Sequence, residues 1–274
     1  MLDKRLLRVG IEVNGKLNVY ENLAITCQGF KSGSPIQNEC NITIANLDKN
    51  TRDFLETEGN PYNRIRTNKR SRIIVEAGRE STGYFVLYRG DIVSVGGTQP
   101  PDIVTSIRAL TADTFKGKIV TNSSTPVTPV SSIAKQIADD MGLSLQFEAT
   151  DKDIANYNYT GSAEKQVERI YYLGNYSAFI DDDKLVVIDR DKPLTNQIRK
   201  LSPSTGLIGK PEWIDNGVRV KFFVDNFTKV GTNLQLESPI YPSFNGNYKI
   251  VKLAFDVANR AQPFYFIADA LRIL

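Results

Sequence analysis

The chain contains no histidine. Histidine is the usual general base near neutral pH and a common metal ligand. Its absence removes Ser-His-Asp and Cys-His nucleophile systems and the HExxH zinc motif. Carboxylate chemistry of the glycosidase or magnesium type stays open. Cysteine is nearly absent too: Cys27 and Cys40 are too few for a disulfide framework, and their spacing fits no zinc pattern. They read as small core residues on neighbouring strands, kept as thiols by a reducing compartment. No apolar run approaches the roughly 20 residues that span a bilayer. The opening MLDKRLLRVGIEV has no apolar signal region or cleavage site, so a chain folded in a cytoplasm is expected. Net charge is only +3, too small to argue nucleic-acid binding. No GxGxxG, Walker or GxSxG motif is present, and no nucleotide site can be named.

What is present is the composition of a globular protein: 274 residues, 41% apolar and 24% charged, enough for one large domain or two to three small ones. Residues 5–115 read as strands. Asn14-Gly15 lies between two alternating runs, a strong signal for a type I′ hairpin. In ECNITIANL, Cys40, Ile42 and Ile44 alternate with polar neighbours, so one face is buried. Leu47 to Thr57 is a helix-like patch that ends near Gly59-Asn60-Pro61. The Ser/Thr/Pro-rich KGKIVTNSSTPVTPV is a candidate linker.

Residues 123–191 form a compact α/β unit between two strand-rich blocks. A helix is expected over 131–144, with Ser131 or Ser132 as cap, Ile133, Ile137 and Met141 as its apolar stripe, and Gly142 as C-terminal stop. A strand follows. Ser162 caps a second helix with Val167, Ile170, Tyr171 and Leu173 on its apolar face. SAFIDDDKLVVIDRD reads as strand, acidic turn, strand. Beyond Pro193 the pattern returns to strands, with turns at Asn216-Gly217, Gly231 and Asn245-Gly246-Asn247. The expected fold is mainly β with an α+β insert, the first block reading as a barrel or sandwich and the last as a smaller barrel or half of one, with a small α/β domain between them. The expected boundaries are 1–120, 121–200 and 201–274, with completion of the last barrel by N-terminal strands left open.

Candidate sites are few. Arg64, Arg66, Lys69, Arg70 and Arg72 form a basic patch, either a solvated edge or a contact to DNA in a lumen or to an acidic partner. Tyr157, Tyr159, Tyr171, Tyr172 and Tyr176 cluster in the middle unit, as core or as interface aromatics. Asp181, Asp182 and Asp183 read as a solvated β-turn without the ligand spacing of a calcium loop. Asp139 and Asp140, near a helix C-terminus, read as a solvated face. No catalytic, cofactor or metal residue is identified.

The segments GDIVSV, LTAD, PVSSIAKQIADDMGLSL, NYNYTGSAEKQVERIYYLG, FIDDDKLVVIDRD, GVRVKFFVDNF and NGNYKIVKLAFDVANRAQPFYFIADAL follow one another along the chain. Together they resemble the phage tail baseplate hub family, that of the bacteriophage T4 hub and the late-control D proteins, related to the N-terminal part of type VI secretion spike proteins. The resemblance covers most of the chain as a pattern of segments. It implies a non-enzymatic structural protein of a virion baseplate, assembled in the host bacterial cytoplasm without a cofactor. It also implies two β-barrel-like domains joined by a small α/β domain, and a homotrimeric ring that adapts a sixfold tail tube to a threefold spike. Tail tube protein, central spike and other baseplate proteins are the implied partners, with DNA passing transiently through the lumen. A separate spike protein is expected, because these 274 residues show neither the lysozyme domain nor the repetitive spike of the larger hubs. The other readings are a tail-associated carbohydrate-binding module, a two-carboxylate glycan hydrolase, and a type VI secretion spike component.

Overall fold

The computed structural model describes residues 3–60, 70–101, 103–124, 126–194 and 198–273. The N-terminal block holds β1 (Arg5–Val13), β2 (Lys16–Tyr20), β3 (Ile25–Ser32), β4 (Glu39–Ala45), α1 (Lys49–Glu58), β5 (Arg72–Arg79), β6 (Gly83–Gly97) and β7 (Val104–Leu110). The β1–β2 turn is made by Asn14 and Gly15, both at positive φ (51° and 76°), as a type I′ turn requires. Asp48 caps α1 by accepting from the Thr51 N–H. The two cysteines lie buried on paired strands β3 and β4, as free thiols.

The C-terminal block holds β15 (Ile198–Leu201), β16 (Leu207–Ile214), β17 (Gly217–Phe223), β18 (Asn233–Leu236), β19 (Gly246–Ala258) and β20 (Phe264–Arg272). Strand β19 joins the blocks. Its first residues pair with β18 and its last seven with β3, on either side of an irregularity between Ile250 and Lys252. Bulges of this kind turn barrel corners. Among the described residues, the strands of both blocks therefore form one 13-stranded hydrogen-bonded sheet, whose main path runs from β16 to β2. A single apolar cluster from Leu7 to Ala270 fills its interior.

Between the blocks lie β8 (Ile119–Ser123), β9 (Val127–Pro129), α2 (Val130–Asp140), β10 (Ser144–Glu148), β11 (Asp153–Ala155), β12 (Asn158–Ser162), α3 (Ala163–Tyr172), β13 (Tyr176–Asp181) and β14 (Lys184–Asp189). The expected linker is in fact structured: β8 pairs with β12, and β9 with β11. Helix α2 buries Val130, Ile133, Ala134, Ile137 and Ala138, and Gly142 ends it at φ +60°. The expected Ser131 or Ser132 cap is not made. Pro129 stands at the cap, and Asp151 accepts from both the N–H (3.0 Å) and the hydroxyl (2.5 Å) of Ser131. Ser162 does cap α3, accepting from the Lys165 N–H.

The sheet β10–β14–β13 is apolar on both faces, hence its nearly continuous hydrophobic sequence. Ala178, Leu185 and Val187 face the helices. Phe179, Val186 and Ile188, one residue out of phase, enter the large β core. Period-two alternation thus fixes the α/β unit against the strands of both blocks.

Candidate functional site

The tip of the β13–β14 hairpin gathers three aspartates and three cations in one paired cluster. Asp182 adopts φ 53° in the tight turn, and the turn's carboxylates meet cations from the N-terminal strands. Lys31 on β3 places its ammonium 2.7 Å from Asp181 and 2.8 Å from Asp182. The Arg89 N–H donates to Asp182 (2.8 Å), the Arg89 guanidinium pairs with Asp183 (2.6 Å), and Arg72 pairs with Asp183 as well. Asn38 donates to the Ile180 carbonyl (2.9 Å), and Ser177 donates to the Gly33 carbonyl (2.5 Å). This corrects the expected solvated turn: the aspartates are a plug whose cations arrive from far upstream in sequence.

The electrostatics follow from burial and pairing. Burial alone would depress Lys31, but the Asp181 and Asp182 carboxylates outweigh it and hold the ammonium above its ordinary value. Burial raises Asp182 above the usual carboxylate range against the pull of Lys31. Burial also works to raise Asp183, yet Arg89 and Arg72 bring it below that range. Such a plug clamps the β13–β14 hairpin to strands β3, β5 and β6.

Of the basic patch, Arg64, Arg66 and Lys69 lie outside the described residues. Arg70 pairs with Asp113 (3.1 Å) and Arg72 with Asp183, each an ion pair within the chain. The tyrosines divide. Tyr157 is buried and accepts from Gln166 (3.2 Å), Tyr159 donates to the Ser162 carbonyl (2.7 Å), and Tyr176 donates to the Thr150 carbonyl (2.9 Å). Tyr171 stacks under Arg190 at 4.4 Å and meets Tyr172 edge-on, while Tyr172 is 69% exposed. Asp139 pairs with Lys135, and Asp140 accepts from Asn122 (2.6 Å).

Sequence reading passed over a groove of about 680 Å³ between the α/β unit and the β16–β17 hairpin. The only tryptophan of the chain, Trp213, lies on its rim, 54% exposed, with one face stacked on Phe244 at 4.4 Å. Lys249 lies on its floor and donates to the carbonyls of Asp189 (2.8 Å) and Arg190 (3.2 Å). Burial pushes this lysine down to about 8. A lone tryptophan beside an Asn-Gly turn was the available signal. Among the described residues, no group of three or more Cys, Asp or Glu side chains is placed to hold a metal, and no helix is long and apolar enough to cross a membrane.

The fold has clear counterparts. A tail protein from Neisseria meningitidis MC58 superposes with a TM-score of 0.66 at 9% identity, covering 97% of this chain and 96% of that one. The 43 kDa tail protein of prophage MuSo2 from Shewanella oneidensis gives 0.66 at 8% identity, over 97% and 96%. A type VI secretion component of E. coli, described as similar to the T4 tail proteins gp27 and gp5, gives 0.59 at 8% identity, over 96% and 76%. No curated protein matches in sequence. The family model described as Baseplate hub gp41 matches residues 6–270. With its two strand-rich blocks clamped by the α/β hairpin, the chain belongs to the baseplate hub gp41 family and is a structural component of a phage tail.

Proposed function

We propose that this chain is the hub of a contractile tail baseplate, acting by geometry rather than catalysis. Three copies close into a ring with two barrel-like lobes per copy, so that six lobes meet a sixfold tail tube on one side and a threefold spike on the other. The lumen passes DNA once the spike has left. The observation that carries this reading is the covalent and hydrogen-bonded fusion of two strand-rich blocks through β3 and β19. Two similar lobes fixed in one chain give a trimer sixfold character. The division at residues 1–120, 121–200 and 201–274 belongs to the same proposal, supported by the separate core of the helices and their sheet. Arg64, Arg66, Lys69, Arg70 and Arg72 are the lumen or partner contacts of this reading, and the exposed Tyr172 beside the partly buried Tyr171 is its interface aromatic pair.

Light scattering tests it, on the purified chain alone and mixed with tube and spike proteins of the same phage. A mass three times the 30.6 kDa chain in either condition supports the ring. A monomer in both sinks it and favours the carbohydrate-binding reading.

A further inference from the structure

We draw no further inference here: the strongest candidate, the exposed groove of about 680 Å³ bordered by Trp213 between the α/β unit and the β16–β17 hairpin, carries none because nothing in the structure shows what fills it.

Discussion

Removing the Lys31 ammonium tests the clamp most severely. The Lys31, Asp181 and Asp182 side chains are only 10%, 15% and 21% exposed, so Lys31→Met leaves two carboxylates in a poorly solvated site without their main counter-charge. Breaking a buried ion pair from one side costs about 3–5 kcal/mol. The carboxylates have one escape, which is to bind a proton. At pH 7 that costs about 4 kcal/mol for one aspartate with an ordinary value near 3.9. The two routes have similar magnitude, and they set a pH dependence. In the variant the folded carboxyl titrates above the unfolded one, so the folded state binds more protons and stability rises as pH falls. The penalty relative to wild type should shrink by about 1.4 kcal/mol per pH unit between pH 7 and 5 for each proton taken up. Lys31 itself, raised above 10.5 in the folded state, titrates well outside that window. Urea unfolding, followed by Trp213 emission and far-UV circular dichroism, reads the difference. Adding Asp181→Asn and Asp182→Asn should recover most of the loss, because no buried charge remains. A Lys31→Met cost below about 0.5 kcal/mol, the level of an ordinary surface change, would refute a clamp at this site.

Four further perturbations follow from other contacts. Phe179→Ala empties the place where the α/β sheet enters the large core; we expect a loss of about 3–5 kcal/mol in urea unfolding. Asp151→Ala removes the acceptor for the α2 N-terminus and should cost about 1 kcal/mol by the same assay. Gly29→Ala places a methyl 2.3 Å from the Glu39 carbonyl oxygen and 2.5 Å from the Phe255 ring, so a loss of about 1–3 kcal/mol is expected, with slower refolding where β3 meets β19. Lys249 has its ordinary value of 10.5 in the unfolded chain and about 8 in the folded one. The unfolded chain thus holds more protons between those values, and stability rises with pH across the window by up to about 3 kcal/mol. The wild-type rise should exceed that of Lys249→Met; equal slopes would remove Lys249 as its source.

Local signals carried much of the fold. The Asn14-Gly15 turn, the helical stripes of α2 and α3, the Ser162 cap and the strand–turn–strand around Asp182 depend on neighbours within a few residues. The failures share a physical cause in distance. Asp151 caps a helix that starts some twenty residues earlier, which no capping pattern encodes. The acidic turn is read as solvated because Lys31 and Arg89 reach it from other parts of the chain. Strands β8, β9, β11 and β12 are short and only partly buried, so the Ser/Thr/Pro-rich stretch shows no alternation. Tyr157 and Tyr172 differ in role because one faces the Gln166 side of its unit and the other faces outward, and composition does not record that difference. Trp213 is visible in the sequence as a single residue, but its stack on Phe244 and the groove beside it join segments that lie far apart in the chain.

The hub reading is tested most directly by electron microscopy of the purified chain assembled on its own tail tube protein. Class averages down the tube axis are expected to show a closed ring of three copies, with six barrel-sized lobes in register with the tube and an open centre. A single copy bound to the side of the tube, or an open arc that never closes, would contradict it.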